Sequence, residues 1–230
     1  MTTAYLARIR LNPFSRTVQR DLRDAAELHR TLMNLAPDGL GESARKQASL
    51  LFRLEEDERG STLLVQAAVP IDLTGLPTGY GDGEVKDLSP MFKALRAGMP
   101  VRYRIAANPA KRERLPLENT GDPSQTSTSQ HRKRGRILPL VGAEADQWWT
   151  RRAAAAGLEV RTLMPTPLGS AKGRTGDTGR KRTMRHQLIR YDGTATVTDP
   201  HALADAVING IGRGKPYGAG LLSLAPAGTD

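Results

Sequence analysis

Four histidines and no cysteine make imidazole the group through which this chain could move a proton near neutral pH. The same composition excludes disulfides, thiolate nucleophiles and thiolate metal sites together. His29 stands in Leu28-His29-Arg30, inside a stretch where Leu22, Ala25, Leu32 and Ala36 recur at helical spacing. An imidazole of pKa about 6.5 serves as base or acid, while the same spacing fits a histidine packed into a core. His131 lies in a polar stretch and His201 follows a helix cap, so both read as surface residues. His186 alternates with Met184 and Leu188 and reads as packed or at a sheet surface. No His, Asp and Glu grouping has metal-ligand spacing, so neither a metal nor a small-molecule cofactor is expected.

Two segments could hold phosphate. Gly210–Gly220 reads GIGRGKPYGAG, five glycines in eleven residues. It follows a helical pattern and leads into a strand pattern, the reverse of a nucleotide fingerprint, and no Ser or Thr follows its lysine. What remains is backbone that approaches a ligand closely, with Gly210, Gly212, Gly214, Gly218 and Gly220 baring amides and Arg213 and Lys215 supplying charge. A tight turn before a strand is the simpler alternative. The second segment, Lys172–Arg190, holds Lys172, Arg174, Arg180, Lys181, Arg182, Arg185 and Arg190 against Asp177 alone. Cations on a loop or hairpin reach into the deep groove of an RNA stem and touch phosphates there. A solvated basic loop has the same composition.

Charge gives the partner class. The 230 residues carry 34 Lys and Arg against 24 Asp and Glu, a net +10. Residues 1–99 hold 13 of each sign, so the whole excess falls in residues 100–230. That asymmetry points to a polyanion engaged by the second half. Aromatics are 4% of the chain, too few for a base-stacking sheet face, and no RNP-type aromatic motif is present. No apolar run approaches the roughly 18 residues of a membrane span. Arg8 and Arg10 stand where a secretory signal would be apolar. A cytoplasmic protein is expected.

These groups need elements to hold them. Residues 3–11 alternate as a strand, and Leu22–Ala36 is predicted helical with Asp24 as cap and Glu27 completing a capping box. Strands at Arg45–Leu54 and Ser61–Val69, a helix at Leu88–Ala97 and a strand at 101–109 follow. Residues 110–136 read as a polar loop, Asp146–Ala156 as a helix and Glu159–Met164 as a strand. Residues 169–182 read as a glycine-rich basic loop. Met184–Tyr191 and Gly193–Thr198 read as a hairpin turning at Asp192-Gly193. A helix capped by Asp199 and a strand at Leu221–Leu224 close the order. Each half resembles strand–helix–strand–strand–helix–strand, with the 101–108 strand shared. The expectation is an α+β protein of two tandem ferredoxin-like domains, residues 1–99 and 100–230.

The pattern GhGxxxxxGhG, with h apolar, is matched at every position by Gly210-Ile211-Gly212 and Gly218-Ala219-Gly220. It is the C-terminal signature of CRISPR repeat-processing endoribonucleases. Residues 18–35 (VQRDLRDAAELHRTLMNL) look like the first helix of the type I-E branch, CasE, and 103–112 (YRIAANPAKR) are similar to its mid-chain strand. The resemblance implies two ferredoxin-like domains and metal-independent cleavage of CRISPR precursor RNA beside the repeat hairpin. The 2′-hydroxyl is then the nucleophile, leaving 2′,3′-cyclic phosphate and 5′-hydroxyl ends. It implies continued grip on the product alongside other subunits of the Cascade complex, and His29 as the active-site histidine. Members of the family often carry a tyrosine three residues before that histidine, where this chain has Ala26. Tyr5, Lys46 and Tyr217 are the candidates to replace it. A hairpin-binding subunit that has lost the chemistry is the alternative implied by Ala26.

Overall fold

A computed structural model describes residues 2–37, 48–113, 135–175 and 182–227. Lys46, His131, Arg180 and Lys181 lie outside the described residues. The chain opens with β1 (Tyr5–Leu11), then two helices, α1 (Arg16–Arg23) and α2 (Ala25–Met33). Asp24 separates them: its extended backbone stops α1, and its carboxylate accepts from the Ala26 amide at 2.9 Å to start α2. Glu27 does not complete the expected box; it pairs with Arg30 instead. The corner is fixed from below by Asp21, fully buried, which accepts from Arg20 at 2.8 Å and from the Tyr80 hydroxyl at 3.0 Å. Burial, reinforced by Asp21, pushes the Tyr80 phenol well up from its ordinary value.

Strands β2 (Leu51–Asp57), β3 (Gly60–Ala67) and β4 (Gly81–Asp87) complete the first sheet, in the order β2-β3-β1-β4. The sequence reading missed β4, whose residues GDGEVKD lack apolar alternation. Backbone pairing to β1 holds it, and glycine is what allows the approach: a Cβ at Gly81 would lie 2.3 Å from the Arg10 carbonyl oxygen. The fourth strand of the first sheet is therefore β4, and the strand near residue 101 is not shared between halves. The crossover into β4 is a coil with one 3₁₀ turn, Leu73–Gly75, rather than an α-helix.

Helix α3 (Ser89–Ala94) leads to β5 (Pro100–Ala107) in the second sheet. A small ribbon pairs β6 (Ala110–Arg112), at the start of the stretch expected as a loop, with β7 (Ile137–Pro139) just beyond that stretch. Helix α4 (Gly142–Ala155), β8 (Leu158–Val160), the hairpin β9 (Met164–Thr175) with β10 (Arg182–Val197), α5 (Pro200–Asn209) and β11 (Leu222–Pro226) follow. The second sheet runs β11-β5-β10-β8, with β9 paired to β10. Taken strand by strand this repeats the order of the first sheet, and the fold is α+β with two tandem ferredoxin-like units. No helix among the described residues is long and apolar enough to cross a membrane.

Asp192-Gly193 is not a turn. β10 runs straight through it, pairing Asp192 with Arg104 and Gly193 with Tyr103. Gly193 is needed because a Cβ there would lie 2.0 Å from the Thr162 carbonyl oxygen. The hairpin lies earlier, β9 against β10, so most of the segment read as a basic loop is strand.

Each sheet has its own core. Ile9, Leu28, Leu32, Phe52 and Val65 are buried in the first. Trp149 anchors the second, stacked on Tyr191 at 5.8 Å and tilted on Tyr103 at 5.4 Å. Polar groups join the halves. Arg53, only 3% exposed, donates to the Leu221 carbonyl at 3.0 Å, the Arg104 carbonyl at 3.1 Å and the Ser223 hydroxyl at 2.9 Å, and pairs with Glu55. Burial pulls its guanidinium below the ordinary value while Glu55 opposes the shift. Gln66 donates to the Val207 carbonyl at 2.6 Å. Arg53→Leu strands these acceptors and is expected to cost about 3 kcal/mol, read as a lower urea midpoint.

Candidate functional site

Helix α2 carries His29 one turn beyond the Asp24 cap. The side chain is half-buried, next to the buried Leu28 and Leu32 and the exposed Arg30, so it is neither sealed in the core nor free in solvent. Two elements of the second half meet this helix: β9 packs on α2, and the 3₁₀ turn Lys215–Tyr217 packs on α2 and on β2, while β9 also meets the same turn. Between them lies a cavity of about 430 Å³ lined by Ala25 and Leu28 of α2, Phe52, Leu168, Leu188 and Tyr217 among others. The fold thus brings together segments far apart in sequence: the histidine helix, the glycine-rich turn and the strand bearing Lys172 and Arg174. Tyr5 stands at the start of β1 between Ala67 and Asp87 in the first sheet.

The glycine-rich segment is built to fit protein as well as to turn. Gly218 has φ +83°, and a Cβ there would sit 3.1 Å from the Phe52 ring. Gly210 has φ +70°, and a Cβ there would lie 2.8 Å from the Leu51 side chain. Both neighbours belong to β2, so these glycines set how closely the second half approaches the first. Six amides of the segment are given to carbonyls: Gly210 to Ala206, Ile211 to Gly220, Tyr217 and Ala219 to Gly214, Gly218 to Lys215 and Gly220 to Ala106. Backbone contact with a phosphate would therefore come from Gly212–Gly214, where Arg213 stands.

In the hairpin, Lys172 is opposite Arg185, Arg174 opposite Thr183 and Arg182 opposite Thr175. A further group, not assembled by sequence reasoning, sits where β10 meets the turn. His186 Nδ1 lies 2.7 Å from Asn108 Nδ2, and its ring is 4.5 Å from that of Tyr217. Burial, with the Arg213 charge adding to it, holds the His186 imidazole below its ordinary pKa. Asn108 follows β5 and is itself buried; only the Asn-Pro that ends the strand marked its position in the sequence. His201 is exposed, with its amide given to the Asp199 cap. Among the described residues no three His, Asp or Glu side chains are grouped to hold a metal.

Comparison with known proteins bears on what this arrangement serves. The profile of a family described as CRISPR associated protein matches residues 4–226. The chain belongs to this family. A CRISPR-associated endoribonuclease Cse3 of Thermus thermophilus is 32% identical over 96% of this chain and 100% of its own length. The CRISPR system Cascade subunit CasE of Escherichia coli is 31% identical over 89% of this chain and 93% of its own. The structure of Thermus thermophilus Cse3 bound to an RNA representing a pre-cleavage complex superposes with a TM-score of 0.75 at 30% identity, covering 97% of this chain and 100% of that one. Likeness to these CRISPR-associated proteins spans both sheets and is not confined to one motif.

For this member of the CRISPR-associated family the close approach at β2 gives a direct check. Gly218→Ala forces a side chain into a left-handed backbone against Phe52. The expected cost is about 1–2 kcal/mol, measured as a fall in Tm of several degrees.

Proposed function

We propose that this protein is an endoribonuclease that cleaves CRISPR precursor RNA at the base of the repeat hairpin and retains the product within Cascade. The observation that carries the reading is the packing of the His29 helix between the basic hairpin strand β9 and the glycine-rich turn. A group that moves protons is thereby held beside segments that grip phosphate. The relatives named as endoribonuclease and Cascade subunit, and the Cse3 structure with bound RNA, support it.

Cleavage by the neighbouring hydroxyl balances within the RNA. The 2′-oxygen attacks phosphorus, the bond to the 5′-oxygen breaks, and the ends are a 2′,3′-cyclic phosphate and a 5′-hydroxyl. One group must take the 2′-hydroxyl proton and another must supply one to the leaving oxygen; His29 fills one of these roles. Cations neutralise the charge that builds on the phosphorane. Arg213 and Lys215 stand near the turn for that purpose, while Lys172, Arg174, Arg180, Lys181, Arg182 and Arg185 hold the stem. Division of the chain into a catalytic domain, residues 1–99, and an RNA-gripping domain, residues 100–230, goes with this assignment, as does a cytoplasmic location. Ala26 favours a second reading, a hairpin-binding subunit with weak or no chemistry.

His29→Ala is expected to abolish cutting of labelled repeat RNA in EDTA while hairpin affinity stays within a few-fold. Undiminished cutting by that variant would move the chemistry elsewhere, and no cut by the wild type would favour the second reading. Mass of the product ends tests the nucleophile, since a 5′-phosphate does not arise by this route. Neutralising Lys181 and Arg182 together should lower the slope of log affinity against log salt by about two phosphate contacts; an unchanged slope removes both from the interface.

A further inference from the structure

The cleavage reading makes no use of His186, a partly buried imidazole with partners on two sides. Its Nδ1 is 2.7 Å from the side-chain nitrogen of Asn108. An amide nitrogen only donates, so Nδ1 must be bare, and the neutral ring carries its proton on Nε2. Nε2 is buried and, among the described residues, has no hydrogen-bond acceptor. The ring face lies 4.5 Å from Tyr217, tilted by 34°. Tyr217 ends the 3₁₀ turn that packs on α2, and Asn108 lies beneath the same turn, its Nδ2 within 3.4 Å of where a Cβ on Gly214 would be. His186 is thus a strand residue whose ring lies against this turn.

We propose that His186 is a positioning residue for cleavage: its uncharged imidazole clamps the Lys215–Tyr217 turn against the helix that carries His29. The proposal rests on the endoribonuclease reading. Groups facing the ring are Asn108 from the end of β5 and Arg213 and Tyr217 from the glycine-rich segment. Among these the one charge is Arg213, of the sign an imidazolium would have. Protonation at Nδ1 sets a donor against the Asn108 donor, breaks that bond and adds a second positive charge beside Arg213. The clamp is whole when His186 is neutral and fails as pH falls below the ordinary histidine value, the direction in which burial and Arg213 displace the ring.

Two measurements test it. Nitrogen NMR of the wild-type protein should show His186 as the Nε2–H tautomer. The Gly214 and Gly218 amide resonances should move with the midpoint of its titration. An Nδ1–H tautomer, or glycine amides indifferent to that titration, overturns the clamp without any RNA. Single-turnover cleavage of repeat hairpin RNA between pH 5 and 8 is the second arm. His186→Phe keeps a ring on Tyr217 and cannot titrate; its acid limb should be shallower than wild type by about one proton. Asn108→Asp, which accepts instead of donating, should raise the His186 midpoint, and the glycine amide shifts should move to higher pH with it. An acid limb of unchanged steepness in His186→Phe overturns the proposal. If the wild type does not cut, the endoribonuclease reading fails, and the NMR arm still decides the clamp.

Discussion

Arg53 is the constraint on which the two halves depend. A guanidinium that is 3% exposed must have every donor occupied or be expelled. Its partners are spread over β2, β5, β11 and the residue before it, so the charge is satisfied only when the sheets adopt one relative position. Hydrophobic contact alone would tolerate sliding; donors in a fixed planar fork do not. Glu55 extends the arrangement, accepting from Arg53 at 2.8 Å and pairing with Arg104 at 2.6 Å, and Asp192 joins Arg104 to Arg190.

That fixed position is what gives His29 its surroundings. Helix α2 belongs to the first core through Leu28 and Leu32, yet β9 and the glycine-rich turn against it belong to the second half. Gly210 and Gly218 matter for the same reason, since side chains there would push on Leu51 and Phe52 and open the junction. A reacting phosphate must be met within a fraction of an ångström. A junction held by buried donors and by glycine contacts supplies that precision where two loosely packed domains would not.

Much of the fold is legible in the sequence because it depends on local chemistry. The Asp24 cap, the Asp199 cap with Pro200, and the alternation of Val101, Tyr103 and Ile105 each follow from residues a few positions apart. The misreadings share a cause. Asp192-Gly193 reads as a turn, yet Gly193 serves the approach of Thr162, a neighbour brought by the sheet. β4 and most of β9 carry too few apolar residues to show a period, and their backbone ladders hold them. Likewise His29 and the turn at 210–220 are each visible as candidates, but the packing of helix α2 on that turn is set by Arg53 and the junction. The Asn108–His186 contact, 78 residues apart, has no local signal at all.

The division of charge then acquires a structural sense. Residues 1–99 are electrically balanced and supply the imidazole, while residues 100–230 carry the whole excess. A polyanion is drawn to residues 100–230, with no large field on residues 1–99. The two sets of interactions also differ in exposure. Surface cations facing phosphate are screened by salt over roughly 8–10 Å and lose affinity steeply. Arg53 is shielded from solvent, and its acceptors other than Glu55 are neutral and do not bind counterions. Raised salt should release RNA long before it loosens the junction, so binding and assembly are separable properties of this chain even though the site needs both. The ion pairs running from Glu55 through Arg104 to Asp192 and Arg190 tie the junction to β10, the strand that continues into the hairpin. The strand that enters the hairpin is thus also the one tied to the junction.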